Sequence, residues 1–309
     1  FLSKAAQAEF RFVQAHDLGA WRIDNVAAKA GEIDSAVSTS GEWNFALGSE
    51  AEVFAHLAAT PTHLSDVASR IFQGCITGAD LVFLFRQFEE VTSEGQAPSV
   101  MRVFSEELRE FVPIESGILK RVVRSGSINR FDATPTVFAL FPYDVVDGKA
   151  ALFSAAAFQS RYPLAWSYIK RCQQTLEKRE KGKFKDDEWY RYGRTQNLGL
   201  WETPKVMVPY MVTRLAAYLD VTDNYYFINV TTGGYGITVN EDTISLPYLC
   251  GLLNSRLLDF YLKVVSTNFR GGYIAANKQY IEQLPIRTID FTDPADAARH
   301  ARMVALVEQ

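Results

Sequence analysis

Cysteine, histidine and long apolar runs are all scarce in this chain of 309 residues. The few cysteines and histidines lie far apart and show no C-x-x-C spacing: Cys75, Cys172, Cys250, His16, His56, His63 and His300. This spacing predicts neither a zinc site nor a disulfide framework, so no metal is expected. The apolar runs are shorter than the ~20 residues that cross a bilayer, and the first ten residues lack the pattern of a secretory signal. We therefore expect a folded protein of a reducing cytoplasm with no membrane partner.

Local signatures of enzymes that act on nucleic acids are missing as well. The chain has no Pro-Pro dipeptide, which excludes the Asp/Asn-Pro-Pro-Tyr loop of amino-methyltransferases, and no E-x-K triplet of metal-dependent nucleases. Its glycine-rich loop TTGGYG, residues 231–236, lies between two predicted strands and therefore predicts a turn rather than a phosphate-binding loop. Ser/His/Asp catalysis would need a histidine between His63 and His300, where there is none. These absences predict a chain with no catalytic residues and no cofactor of its own.

The chain does contain an uneven distribution of charge. Residues 111–220 hold 17 Lys and Arg against 11 Asp and Glu, whereas residues 1–110 hold 8 against 16. A basic middle third in a chain of net charge −4 is typical of a face that binds a polyanion. The alternative, for the charge run at residues 178–185, is a solvated charged helix.

The stretch WYRYGRTQ, residues 189–196, alternates aromatic rings with guanidinium groups and ends in a side-chain amide. Arginine forms bidentate bonds to phosphate or guanine, glutamine does so to adenine, and tyrosine offers a flat face for stacking. The alternative is a packed strand whose arginines extend to solvent. As a strand, the stretch would bury Trp189 and divide Tyr190 and Tyr192 between core and surface.

The order of the predicted elements indicates an α+β fold with an irregular, mostly antiparallel sheet and inserted and C-terminal helices. Helical spacing occurs in the first 60 residues, with a separate helix at 50–59, and again at 153–181, 246–265, 278–283 and from 294 onward. Strands are predicted at 67–74, 81–86, 99–104, 119–123, 136–141, 205–212, 225–230 and 235–239. We expect the last two strands to pair across residues 231–234.

Several stretches taken in order resemble the TaqI-like C-terminal specificity domain of adenine-N6 DNA methyltransferases and type IIG restriction-modification enzymes. They are IFQGCITGAD at 71–80 with the following LVFL, LKRVVRSGSINR at 119–130, WYRYGRTQ at 189–196, the helix at 246–256, FRGGY at 269–273 and IEQLPI at 281–286. The resemblance covers about residues 67–287.

The resemblance implies a DNA target-recognition domain that reads a short sequence of double-stranded DNA. Catalysis would belong to a methyltransferase or nuclease part, earlier in the same polypeptide or in a partner subunit. That parent enzyme would use S-adenosylmethionine, with Mg²⁺ where a nuclease is present, in a prokaryotic cytoplasm. The expected division is 1–66 as a helical connector to a missing N-terminal part, 67–290 as the recognition domain and 291–309 as a C-terminal helix. Phe1 is not a natural start, which fits a C-terminal fragment.

The candidate DNA-binding residues fall into three groups. The first choice is the aromatic-arginine stretch, with Tyr190, Arg191, Tyr192, Arg194 and Gln196. The second is the basic segment with small residues, with Lys120, Arg121, Arg124, Ser125 and Arg130. The third is a predicted phosphate clamp, with Arg270, Tyr273 and Lys278. The alternative for the first group is a charge-pairing strand, and the alternative for the second is a solvated hairpin. For the whole chain they are a carbohydrate- or peptide-binding module with an aromatic platform, and an enzyme built on scattered carboxylates and tyrosines.

Overall fold

The computed structural model describes residues 9–15, 17–24, 28–34, 49–91, 99–229, 231–240 and 243–309. These residues form a mixed α+β fold of several small, mostly antiparallel sheets with helices between and around them. The predicted fold class is therefore confirmed. None of the helices described is long and apolar enough to cross a lipid bilayer.

The elements follow one another in an irregular order. Up to residue 123 they are β1 (Glu9–Ala15), α1 (Leu18–Asp24), β2 (Ala28–Asp34), α2 (Ser49–Ala58), α3 (Leu64–Val67), β3 (Ala68–Gln73), α4 (Asp80–Phe83), β4 (Leu84–Phe85), β5 (Phe88–Val91), β6 (Val100–Ser105), β7 (Glu110–Glu115) and β8 (Leu119–Val123). They continue with β9 (Ile128–Asn129), β10 (Asp132–Ala133), β11 (Val137–Leu140), β12 (Tyr143–Val146), β13 (Lys149–Leu152), α5 (Ala155–Arg161), α6 (Pro163–Arg171), α7 (Gln173–Glu177) and α8 (Arg179–Gly182). The remainder are β14 (Lys205–Pro209), β15 (Met211–Val212), β16 (Tyr218–Asp220), β17 (Tyr226–Phe227), β18 (Gly234–Val239), α9 (Leu246–Leu253), α10 (Arg256–Val265), β19 (Ile274–Ala275), α11 (Lys278–Ile281) and α12 (Pro294–Val307).

A four-stranded antiparallel sheet, in the order β16-β14-β18-β3, separates two hydrophobic cores. Because side chains alternate along a strand, Val206 and Val208 of β14 enter one core while Met207 enters the other. Helices α9, α10 and α11 contribute buried side chains to the core that holds the two valines, which we call the second core, and α12 packs against it. The first core lies on the opposite face and contains most of the buried aromatic rings.

The first core is built around a second four-stranded sheet, in the order β17-β8-β11-β4. Its pairs are antiparallel except for β17 and β8, which run parallel. The antiparallel sheet β5-β6-β7 and helices α5 to α7 add further apolar side chains. This core fixes the end of β8, from which the segment that carries Ser125 and Arg130 emerges.

Lys205 and Asp220 form an ion pair inside the protein, at the start of β14 and the end of β16. The Lys205 Nζ lies 2.6 Å from Asp220 Oδ2, with side-chain exposures of 0% and 1%. The ammonium also donates to the Trp201 carbonyl at 2.6 Å, and Asp220 accepts the backbone N–H groups of Asn224 and Tyr225. Burial is the main cause that lowers the pKa of Lys205. The pair fixes the turn after β16 to the start of β14.

The helix predicted throughout the opening residues is wrong for β1 and β2. These strands pair antiparallel, with Glu9 opposite Asp34. Phe10 and Phe12 alternate with Glu9 and Arg11, a period of two that suits a strand better than a helix. Residues 5, 26 and 27 of the predicted helix lie outside the described residues, whereas α2 confirms the helix expected at 50–59.

The long helices predicted at 153–181 and 246–265 are each divided. Pro163 ends α5 because proline disfavours helical backbone at the residue before it, and Tyr162 accordingly adopts φ −138 and ψ 67. At the second break, the Asn254 side chain bonds to the backbone of Ala217, and Ser255 caps α10 through the N–H of Leu258. Local hydrogen bonds replace helix continuation at this second break.

Two predicted strands differ in the structure. Residues 80–83 form the helical turn α4, which follows hydrogen bonds from Thr77 to Asp80 and from the Ala79 N–H to Thr77. The pairing expected between 225–230 and 235–239 is wrong, because β17 pairs with β8 while β18 pairs with β14 and β3. Residue 230 lies outside the described part of the chain.

Candidate nucleic-acid interface

Residues 189–192 belong to the first core rather than to a surface strand. Trp189 is 5% exposed, which confirms its predicted burial, but Tyr190 and Tyr192 are each only 1% exposed. The Tyr190 hydroxyl donates to the Phe153 carbonyl at 2.6 Å, and the Tyr192 hydroxyl donates to the Leu140 carbonyl at 2.7 Å. The predicted division of these tyrosines between core and surface is wrong, because the segment is a series of turns in which strand alternation does not apply. Neither ring presents a face to a ligand.

We expect Tyr192→Phe to lower the free energy of unfolding by about 1 kcal/mol, because the substitution leaves the buried Leu140 carbonyl without its donor. Urea denaturation measures the change. Tyr273→Phe serves as the matched control, since Tyr273 is 45% exposed and its hydroxyl has no hydrogen-bond partner within the described chain. Equal stability of the two variants would contradict this role for Tyr192.

Arg191 and Arg194 are both held by carboxylates. Arg191 forms a bidentate pair with Asp186 at 2.6 and 2.9 Å and packs over the Phe184 ring at 4.6 Å. Arg194 is 52% exposed and pairs with Glu180 at 2.6 Å. Arg191 therefore has a packing role, whereas the Arg194 guanidinium lies at the surface and can exchange its carboxylate for a phosphate. Gln196, two residues on, is exposed.

The basic strand β8 is also occupied by internal contacts. Lys120 forms an ion pair with Glu202, and its ammonium lies 5.6 Å from the Phe141 ring centroid. Arg121 donates to the Asp223 carbonyl at 3.0 Å and stacks on Tyr225 at 4.9 Å. Both predicted site residues therefore hold neighbouring segments in place.

Three predicted site residues meet at one open cavity of about 500 Å³. We call it the arginine cavity; its lining is Ser125, Gly126, Ile128, Asn129, Arg130, Met211, Val212, Thr213, Arg214, Leu215, Ala216 and Tyr273. The cavity thus joins the basic segment to the predicted clamp, and it adds Arg214, which the sequence did not single out. No carboxylate belongs to this lining, and neither arginine has an ion-pair partner among the residues described. Two uncompensated guanidinium groups on one cavity favour an anionic ligand.

Arg130 reaches the cavity from a tight turn. Strands β9 and β10 pair Asn129 with Asp132, which leaves Arg130 and Phe131 as the two turn residues. Phe131 has a positive φ of 63, its N–H donates to the Ala217 carbonyl at 3.1 Å, and Arg130 lies over its ring at 5.5 Å. The turn holds the arginine at the cavity edge.

Arg214 is placed by side chains of α10 and of the residue that ends α9. Asp259 of α10 accepts the Leu215 N–H at 2.8 Å, and Asn254 both accepts from and donates to the backbone of Ala217. Buried polar side chains that satisfy backbone groups fix a segment firmly. Asp259 and Asn254 are therefore positioning residues for Arg214.

The loop that carries Arg270 and Tyr273 turns on two glycines. Gly271 and Gly272 have φ values of 85 and 78, a backbone region that only glycine adopts readily. The Phe269 N–H donates to the Tyr273 carbonyl at 2.7 Å and closes the loop, while β19 pairs with β15 directly after it. Arg270 is exposed on this loop, and Tyr273 borders the cavity.

Comparison with known proteins finds one family model that resembles part of the chain. Residues 160–286 match the family model of the TaqI-like C-terminal specificity domain. This part of the chain is similar to that family. It holds the WYRYGRTQ, FRGGY and IEQLPI motifs as well as Arg214, so the predicted resemblance is confirmed.

The chain is also similar to a curated protein, the type II restriction enzyme and methyltransferase RM.Eco57I of Escherichia coli. The two are 25% identical over 175 residues, which is 55% of this chain and 18% of the relative. The chain therefore spans about a fifth of the length of the relative that it matches.

Arg124 and Lys278, two further predicted site residues, do not line the arginine cavity. Arg124 is exposed at the end of β8, and partial burial followed by the charge of Arg86 lowers its pKa. Lys278 lines a different cavity of about 460 Å³, together with Arg70 and Asn197. The predicted clamp is therefore divided, with Tyr273 at one cavity and Lys278 at another.

Sequence reasoning missed Arg214 and Arg179. Arg214 is the only cation between Lys205 and Arg256, and this isolation in an apolar stretch was the available signal. The charge run at 178–185, which includes Arg179, suggested a solvated helix. The Arg179 guanidinium instead donates to the carbonyls of Leu176, Thr77 and Trp189. Burial, then the charge of Arg191, lowers its pKa to about 10. Arg179 thus ties the 189–194 segment to the turn at Thr77.

Proposed function

We propose that this chain recognises a short sequence of double-stranded DNA, as the specificity domain of an adenine-N6 DNA methyltransferase or a type IIG restriction-modification enzyme. The arginine cavity carries the proposal, because its lining combines polar side chains, an aromatic ring and two guanidinium groups that have no ion-pair partner among the described residues, and this lining contains no carboxylate. These are the groups that contact phosphates and base edges. The family match and the name of the relative supply the enzymatic setting.

In this proposal catalysis belongs to a methyltransferase part, in the same polypeptide or a partner subunit, that uses S-adenosylmethionine. Mg²⁺ enters only if a nuclease part is present. No group of three or more His, Cys, Asp or Glu side chains within the described ranges is arranged to hold a metal ion. The role assigned to this chain is selection of the DNA site.

An aromatic sugar platform has less support. Many of the rings lie inside the two cores or pack against them, and the buried set includes Trp189, Tyr190, Tyr192 and Trp201. The aromatic content that suggested a platform is thus largely explained by packing.

The proposal is tested by fluorescence anisotropy with a labelled duplex of randomised sequence, followed by selection of the bound fraction. Several phosphate contacts predict that the logarithm of the binding constant falls linearly with that of the salt concentration. Selection should enrich one short sequence. A binding constant that does not change with salt concentration, or selection that enriches no sequence, would reject sequence-specific DNA recognition.

Arg194→Ala is expected to weaken duplex binding or relax the selected sequence, with a salt slope smaller by about 1. Glu180→Gln is the opposing control: it frees the Arg194 guanidinium from its carboxylate and should strengthen binding. Anisotropy titrations at several salt concentrations measure both effects. An unchanged affinity and an unchanged selected site in Arg194→Ala would remove this residue from the interface.

A further inference from the structure

The arginine cavity has an apolar floor in addition to its cationic rim. Ile128, Val212 and Leu215 line it and are at most 5% exposed. A phosphate on the outside of a duplex needs hydrogen-bond donors but gains nothing from an apolar floor. A nucleic-acid base, in contrast, has two apolar faces and a polar edge. The volume of about 500 Å³ falls in the range of roughly 300–1,000 Å³ that is typical of pockets for small molecules.

Tyr273 gives the cavity an accessible aromatic face. Its side chain is 45% exposed at the border of the cavity, in contrast to the buried Tyr190 and Tyr192. The glycine turn precedes it, and the pairing of β19 with β15 follows it, so both sides of the residue are fixed. Exposed aromatic rings on a fixed backbone are the surfaces on which unpaired bases stack.

The polar groups of the cavity suit the rest of a nucleotide. Arg130 and Arg214 provide donors for a phosphate, and the side chains of Ser125, Asn129 and Thr213 can bond to a base edge or a sugar.

The walls of the cavity are already held in position. Ser125 donates through its N–H to Thr232 and through its hydroxyl to Gly233, while Asp259 and Asn254 hold the segment after Arg214. A site whose walls are fixed in advance loses less conformational entropy when it binds a ligand.

We propose that the arginine cavity takes up a single nucleotide displaced from the base stack of the bound DNA. The base lies between Tyr273 and the apolar floor, and its phosphate is held by Arg130 and Arg214. This inference rests on the proposed function, since it assigns one nucleotide of the duplex to this cavity. Displacing a base costs unstacking and unpairing energy, and the cost is least for a base that has no partner.

The test compares two labelled duplexes that differ only in one extra, unpaired nucleotide, titrated against the 309-residue chain by fluorescence anisotropy. We expect the bulged duplex to bind on the order of tenfold more tightly, because its unpaired base is already free to enter the cavity. A duplex with an abasic bulge has the same bend without a base and should lose the preference. Each of the four bases is used in the bulge.

Variants link the preference to the cavity. Tyr273→Ala and Arg214→Ala should each remove it, whereas Tyr273→Phe keeps the stacking face and should retain it. Phe291→Ala is the matched control, an exposed ring that does not line the cavity. Thermal unfolding of every variant confirms that the fold is intact.

The possible results separate the two proposals. Salt-dependent binding of both duplexes with equal affinity would overturn the nucleotide cavity and leave DNA recognition standing. The same holds if the abasic bulge is preferred equally, or if both Tyr273→Ala and Arg214→Ala keep the preference. Absence of binding to either duplex would overturn both proposals.

Discussion

Alanine at both Arg130 and Arg214 is expected to weaken duplex-DNA binding by about two orders of magnitude, which corresponds to about 1.4 kcal/mol lost for each arginine. The two guanidinium groups face one cavity and have no carboxylate partner in the described structure, so their charge is available to the polyanion. Each lost phosphate contact lowers the salt slope by about 1, which predicts a total decrease of about 2. Anisotropy titrations at several sodium chloride concentrations measure both quantities.

The control for this double variant is Arg109→Ala with Lys149→Ala. It also removes two positive charges, but from other exposed positions: Arg109 lies in the turn between β6 and β7, and Lys149 lies at the start of β13. A long-range charge effect would weaken both double variants equally, and that result would contradict direct contact by the cavity arginines. An unchanged salt slope in Arg130→Ala/Arg214→Ala would contradict it as well.

Asp220→Ala should destabilise the protein by about 3–5 kcal/mol, the largest effect on folding expected for a single substitution here. Among the described residues, it leaves the buried Lys205 ammonium with the Trp201 carbonyl as its one hydrogen-bond acceptor and with the Trp201 ring at 5.7 Å. It also removes the acceptor for the N–H groups of Asn224 and Tyr225. The free energy of unfolding from urea titration gives the size of the loss.

Lys205→Met separates the charge effect from simple loss of packing. Methionine fills a similar volume, and Asp220 keeps its two backbone donors, so the cost should be smaller than that of Asp220→Ala. Adding Asp220→Asn to Lys205→Met removes both charges and should restore part of the stability. A loss below about 1 kcal/mol in Asp220→Ala would show that the pair contributes like an exposed one.

Periodicity and turn residues predicted many of the elements, since these signals are local. Residues 119–123 form β8 at the predicted bounds, and α2 and α12 begin within one residue of their predicted starts. Errors arose where the deciding interaction was distant. The pairing of β17 with β8 joins residues a hundred positions apart, and nothing near residue 226 indicates it.

The sequence predicted several residues of the candidate site but not their arrangement in space. Ser125, Arg130 and Tyr273 came from two separate motifs, and only the fold shows that they share a cavity. Tyr192 was predicted to contact DNA but is buried. Its burial is decided by tertiary packing, and a local pattern of rings and guanidinium groups carries no information about that packing. Arg214 was missed because its neighbours in sequence are mostly apolar, whereas the residues that share its cavity, such as Arg130 and Tyr273, are distant in sequence.

The sheet β16-β14-β18-β3, with a different core on each face, restricts how this protein can change. A shift of one residue in β14 would exchange Val206 and Val208 with Met207, so that each core would receive side chains shaped for the other. Insertions and deletions are therefore tolerated in the connecting loops and not in these strands. The residues around Arg130, Arg214 and Tyr273 lie on such loops. Under the proposed function, new target sequences would be acquired by replacing loop residues, while the alternating strands keep the framework constant.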